Sequence, residues 1–256
     1  MNRLSDTGGL IPQGRAFDGA KEWHRDALSD IEGRLTDARF PCVFSRNAFR
    51  KGLLKFIFVE DAEEYSIQLL SEGLKFYVEL SRQWDGSLDT TYPLIVLFSF
   101  AAVTENSVDG YQDFGWQVLQ RLHEIDSTPW PEEVGVDPNS ETWSMCFNGM
   151  PLFVNMSSPV HEARRSRNLG RNFALVINPR ERFDVFAGAT PSGRKVRANI
   201  RHRVGRYDGI PHSPQLGSFG SGALEWAQYG LPEENVARTD RCSFVVRNED
   251  GGSRDD

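Results

Sequence analysis

Apolar residues recur at helical spacing along several stretches of the chain. Between residues 21 and 38, Trp23, Ala27, Leu28, Ile31 and Leu35 share one side and predict an amphipathic helix. Asp61 reads as the N-cap of a longer helix reaching about Trp84, with Ile67, Leu70, Leu74, Tyr77 and Val78 in register. Asp109 reads as the cap of a third helix reaching about Ile125, with Tyr111, Phe114, Val118, Leu119, Leu122 and Ile125 in register, and a fourth runs from Ser192 to Tyr207 on Val196, Ile200 and Val204. Short apolar runs predict strands at Phe40–Phe44, Leu53–Val59, Tyr92–Phe100 and Phe173–Ile177. Between Phe40–Phe44 and Leu53–Val59 lies a basic helical turn, Arg46–Lys51, ended by Gly52. Trp143–Phe147 and Leu152–Met156 flank Asn148-Gly149, a strong hairpin signal, although Met150-Pro151 argues against a strict two-residue turn. Strands interleaved with helices predict an α/β (or α+β) fold, a single domain with a mixed β-sheet and helices packed on its faces. Residues 1–19 read as a flexible segment, 20–248 as the domain, and 249–256 as a disordered polar tail.

Composition leaves this picture intact and narrows the function classes. Hydrophobic residues make up 39% of the 256, enough for a packed core, and the net charge is −7. That charge is uneven: His161–Arg206 holds twelve Lys/Arg against three Asp/Glu, so the remainder is strongly acidic. A basic segment interleaved with an apolar strand points to an internal anion site rather than to a nucleic-acid surface. The three cysteines, Cys42, Cys146 and Cys242, are widely spaced, with no C-x-x-C and no C-x-x-C-H. Neither a disulfide framework, a zinc ribbon nor covalent haem attachment is supported. The longest apolar run, Leu94–Val103, is far short of a bilayer span, and Met1–Gly9 lacks an apolar signal region, so the expectation is a cytoplasmic protein with no membrane partner.

Candidate chemistry concentrates at Ser158-Pro159-Val160-His161-Glu162-Ala163-Arg164-Arg165-Ser166-Arg167-Asn168. Pro159 suits a first helical turn, with Ser157 or Ser158 as cap. In such a helix His161 shares a face with Arg164 and Arg165, while Arg167 points elsewhere. An imidazole beside guanidinium donors suits either a metal or haem iron with anionic groups nearby, or a histidine satisfied within its own turn. Cys42 and Cys146, flanked by apolar residues, read as inert core thiols, with thiolate ligation as the alternative. His212 lies in a Pro-bounded loop and offers a second ligand or pocket group; His202 reads as solvated, and His24 and His123 as partly exposed on their helices. Glu60, Asp61, Glu141 and Glu225 lie at strand ends or in loops and read as surface groups or caps. No G-x-x-x-x-G-K-[ST], H-E-x-x-H or G-x-S-x-G occurs, and Gly217-x-x-Gly220-x-Gly222 lacks dinucleotide-binding spacing. With no flavin or nicotinamide fingerprint, any electrons would come from a separate redox partner.

Several segments together resemble the YqcI/YcgG family. They are Phe40-Pro-Cys-Val-Phe-Ser-Arg-Asn-Ala-Phe-Arg-Lys-Gly52, Pro129-Trp-Pro131, Trp143 to Val154, Ser158 to Arg167, Asn178-Pro-Arg180, Tyr207-Asp208 with His212 to Gly220, and Glu225-Trp-Ala-Gln-Tyr229 with Leu231-Pro232. The chain departs from the family pattern at Asn178, usually Gln, and at Ala227, usually Lys. The resemblance implies a haem-dependent N-oxygenase that hydroxylates a nitrogen of a free amino acid, typically the guanidine of L-arginine, in natural-product biosynthesis. It implies haem b, O2 as co-substrate and an external reductase. Glu60, Asp61, Glu141 and Glu225 become candidate carboxylates for the guanidinium substrate that it implies. Carried onto this chain, it makes His161 the axial iron ligand, with His212 and Cys42 as alternatives, and Arg164 and Arg167 the partners of haem propionates. A non-enzymatic haem-binding or sensing protein is the alternative, and a homodimer is one option for assembly.

Overall fold

The computed structural model describes residues 9–188, 190–217 and 222–247. Strand β1 (Ile11–Pro12) lies in the segment read as loose and pairs antiparallel with β2. Helix α1 (Glu22–Thr36) buries the predicted stripe of Ala27, Leu28, Ile31 and Leu35. The Phe40–Phe44 run is not a strand. Cys42 is instead the N-cap of α2 (Val43–Arg50): its sulfur accepts the Ser45 N–H, and Gly52 turns the chain at φ +69°. A five-residue apolar run reads alike in a strand and at a buried helix start, and here the capping sulfur decides for the helix.

Strand β2 (Lys55–Val59) leads through α3 (Glu64–Arg82) to β3 (Leu94–Phe98), which pairs parallel with it. Asp61 lies before α3 but is not its N-cap, a position held by Glu63; the Asp61 carboxylate accepts from Glu63 N and Ser66 Oγ. Helix α4 (Val108–Ile125) is capped by Ser107 rather than Asp109. The hairpin β4 (Met145–Phe147) and β5 (Met150–Ser157) closes on Phe147 opposite Met150. Asn148-Gly149 is therefore a strict two-residue turn after all, with φ +49° and +68°, the twist that matches paired strands. Met150-Pro151 starts the second strand rather than lengthening the loop, and Pro151 pairs opposite Cys146. Strand β6 (Ala174–Pro179) fills the centre, followed by α5 (Arg180–Ala187), α6 (Pro191–Asp208) and the single turn α7 (Trp226–Tyr229).

The sheet runs in the order β1-β2-β3-β6-β5-β4, mixed as expected, and the architecture is α/β. Alternation sends Leu94, Val96, Leu152, Val154, Leu175 and Ile177 to one face, against α3, α4 and a cluster of Trp116, Trp143, Trp226 and Tyr229. The other face carries Phe56, Ile95, Leu97 and Ala174 against α1, Leu54 and Tyr207. Among the described residues no helix is long and apolar enough to cross a membrane. The predicted tail, 249–256, lies outside the described residues.

Candidate functional site

The His161 stretch does not form the predicted helix. After β5 the chain turns back on itself: Ser158 N donates to Arg167 O at 2.9 Å and Ser157 Oγ to the same oxygen at 3.1 Å. Only Arg165–Arg167 makes a short 3-10 turn, tied to Asp208 through Ser166 N and Oγ. His161, Arg164 and Arg167 are all buried as a result. Each engages α7 or the segment that follows it. His161 Nδ1 lies 2.5 Å from Glu233 Oε2, whose carboxylate also accepts from Glu162 N and Ala163 N. Arg164 donates to Pro232 O, Glu234 O and Asn235 Oδ1, and Arg167 to Tyr229 O and Gln228 O, both at 3.0 Å.

Burial lowers the His161 pKa against the pull of Glu233, and Arg167 and Arg164 push it the same way as burial, so the imidazole is neutral at pH 7. With Nδ1–H given to a carboxylate, Nε2 carries the lone pair. Burial opposes ionisation of Glu233, yet the bonds from His161 and the backbone hold its pKa below the usual value. The Arg167 guanidinium is pulled down to about 10 by burial and by Arg164 beside it, and stays charged. Together the three side chains form a bracket fastening residues 228–235 to the sheet.

A polar cavity of about 280 Å³ among Arg39, Arg165, Arg203 and Arg206 borders this stretch, but the apolar space lies away from His161 and Arg164. Three adjoining cavities of about 240, 220 and 190 Å³ hollow out the sheet face beneath α2, α5 and α6. Cys42 stands on the wall of all three, and their linings are largely apolar, with Phe44, Phe153, Val176, Phe183 and Ile200 prominent. Arg167 reaches one of them; His161, Arg164 and His212 line none of the three. Cys42 Sγ accepts the Ser45 N–H at 3.4 Å, at the positive end of α2. Burial pushes the Cys146 thiol far up and keeps it protonated, and Cys242 is raised to about 11 for the same reason. Arg180, Arg182, Arg197 and Arg201 stand around the cavities. Arg182 is 4% exposed, and its Nε has no hydrogen-bond partner.

Of the four candidate carboxylates, only Glu225 reaches this space. Glu60 is taken by Lys21, Trp23 and His24, Asp61 steadies the start of α3, and Glu141 accepts from Gly222 N at the surface. Glu225 is 3% exposed and lines the largest of the three cavities. Its Oε1 receives Ser144 Oγ at 2.6 Å and Tyr229 OH at 2.7 Å. Burial pushes its pKa up to about 7, more than those two bonds and the nearby Arg180 can offset. The other histidines are placed plainly. His212 and His202 are exposed, His24 stacks on Phe58, and His123, read as partly exposed, is buried where Nε2 accepts from Arg247 N. Sequence reasoning passed over Phe44, Phe153, Arg182 and Phe183. Their one signal is Asn155 and Asn178, polar residues on the same face of otherwise apolar strands.

Residues 31–245 match the YqcI/YcgG family. The chain is 66% identical over 247 residues to a Streptomyces lavendulae protein named "Putative N(omega)-hydroxy-L-arginine synthase DcsA", covering 96% of this chain and 93% of that one. It is 34% identical to the Bacillus subtilis (strain 168) "Uncharacterized protein YcgG" and 30% identical to "Uncharacterized protein YqcI" of the same strain, each covering 87% of this chain and 88% of the relative. No solved structure matches the chain.

Proposed function

The chain belongs to the YqcI/YcgG family, and from that premise we propose that it hydroxylates a guanidine nitrogen of L-arginine at a haem held in the cleft under α2, α5 and α6. The observation that carries this reading is the set of adjoining apolar cavities that share one cysteine and include one buried carboxylate. The name of the Streptomyces relative supplies the substrate. The residues suit a haem. Apolar walls accept a macrocycle, and the Cys42 sulfur stands on the wall of all three cavities, where it could reach an iron. The guanidinium group of Arg182 suits a propionate. Of the ligands offered by the sequence, Cys42 has the support of facing this space; His161 keeps a ligand's tautomer but faces the 233 loop.

A haem held here, with Cys42 as its iron ligand, would supply O2 activation. The protein's own part is to hold the amino acid, exclude water and fix which nitrogen is presented. Phe44, Phe153 and Phe183 provide the dry walls. The bracket of His161, Arg164 and Arg167 holds α7 in place and, with it, Glu225 at the cavity edge. The test is direct. Protein expressed with haem precursor should show a Soret band and, given O2, L-arginine and an electron donor, form hydroxyarginine. Absence of the Soret band overturns the haem assignment, and a haem-loaded protein that leaves arginine untouched overturns the enzymatic one.

A further inference from the structure

We infer that Glu225 is the residue that receives the guanidinium of the substrate, its Oε2 forming the cation site of the cleft. The inference deepens the arginine reading above and rests on it. Glu225 sits at the N-cap of α7, and the geometry of that single turn sets its Oε1 against Tyr229, four residues on. Ser144 holds the same oxygen from β4's side. Both neighbours are fully enclosed, so Oε1 is spent on the interior. No described residue donates to Oε2, and the side chain forms part of the cavity wall.

A carboxylate with one oxygen fixed in the interior and the other at a cavity wall, with no donor on it among the described residues, gains most from a cation brought into that cavity. Burial raises its pKa to about 7, so at neutral pH it is divided between ionised and protonated forms, and a cationic ligand would draw it wholly to the ionised one. Among the described residues no cation donates a hydrogen bond to Oε2, although the charge of Arg180 acts on the carboxylate. Arg180 is paired with Asp184 at 2.9 Å, Arg197 is turned onto Ala187 O and Gly188 O, and Arg201 donates to Gly217 O at 3.1 Å. Arg197 and Arg201 line the same cavity as Glu225. The cavity thus offers a carboxylate for a cationic end and arginines for an anionic one, the complement of a zwitterionic amino acid with a cationic side chain. A planar guanidinium, with several N–H donors, can reach Oε2 and still present another nitrogen to the cleft.

The test is a calorimetric titration of the purified full chain, wild type and Glu225→Gln, with L-arginine and with L-citrulline, the uncharged near-isostere. The amide of that variant keeps an oxygen for Ser144 and Tyr229 and puts an NH2 group where Oε2 stood. The expected result is arginine binding about 100-fold weaker, citrulline binding no weaker than in wild type, and an unchanged Soret band. Agmatine, which lacks the α-carboxylate, should lose affinity in step with arginine. A Glu225→Gln protein that prefers arginine over citrulline as strongly as wild type overturns the inference. If that variant does not fold, Glu225→Asp decides: its shorter arm should weaken arginine by about ten-fold or more and citrulline little, and an unchanged preference overturns the proposal. Wild type that turns over arginine while both variants keep its selectivity rejects this assignment alone. Wild type that neither binds nor oxidises arginine rejects the underlying reading.

Discussion

The two faces of the sheet are built from the same strands and filled differently. On the α3/α4 face, residues such as Val154, Leu175 and Ile177 meet Tyr77, Trp143 and Tyr229, and the aromatic rings interlock. One residue along the same strands, Phe153, Asn155, Val176 and Asn178 face cavities instead. Proteins pack their interiors nearly as densely as organic crystals, so a persistent hollow on one face of a well-packed sheet marks space reserved for something else. The packed face holds the fold; the hollow face is where stability has been given up for room.

Adjacent residues of β6 test this most strongly. Leu175→Ala removes a fully buried side chain from the packed face and should cost roughly 2–5 kcal/mol. Val176→Ala, whose side chain borders a cavity, should cost under about 1 kcal/mol, since few contacts are lost there. Urea denaturation of both variants measures the difference. Equal losses would mean that the hollow is filled by close packing in solution, and the contrast between the faces would fall.

The next effect belongs to Glu225. Its folded-state pKa of about 7 lies above the ordinary 4.5, so the native state holds its proton more tightly than the unfolded chain does. The contribution is fully present below 4.5 and is lost as pH rises through about 7. The loss amounts to about 3 kcal/mol. Glu225→Gln lacks this titration, so its stability relative to wild type should rise by about that much between pH 4.5 and 7, read from denaturation midpoints across the range. A difference that stays flat would mean that the carboxylate is solvated rather than buried at the cavity edge.

Much of this architecture was legible in the chain. The stripes of α1, α3 and α4 are long and regular, and a 3.6-residue period over four or five turns has no strand counterpart. The mixed sheet followed from their order. What was misread turned on short-range ambiguity or long-range pairing. Phe40–Phe44 is too short for periodicity to separate strand from helix start, and only the sulfur cap at Cys42 settles it. Pro159 carries a helix-start signal, but the closure of Ser157 and Ser158 onto Arg167 turns the segment into a loop. The bracket joins residues 161–167 to 228–235, partners some sixty to seventy positions apart that no local pattern reveals. For the same reason the cleft was invisible: its walls come from α2, α5, α6 and three strands, and Glu225 stood out only as one carboxylate among four.

The bracket gives a smaller effect that ties the faces together. Arg167→Met leaves Gln228 O and Tyr229 O without their donors and should cost about 2 kcal/mol. Because those carbonyls belong to α7, which follows Glu225 directly, the same variant should weaken arginine binding although Arg167 and Glu225 line different members of the three cavities. Unchanged binding would separate the bracket from the cleft.

The smallest expected change in stability comes from Cys42→Ser, and it is the sharpest on the hollow face. As N-cap of α2 the sulfur is a weak acceptor for Ser45 N–H, and a serine hydroxyl is a strong one. If Cys42 only starts a helix, the variant should be as stable as wild type or better by a few tenths of a kcal/mol, with any bound haem unaltered. If Cys42 is the ligand its position on all three cavity walls suggests, the same stable variant should lose haem or lose the red-shifted Soret band of the ferrous carbon monoxide complex that a thiolate gives. His161→Ala should do the reverse, loosening the 233 loop while leaving that band in place. Denaturation curves and spectra taken on the same samples separate the capping role from the ligating one, because only the second requires sulfur.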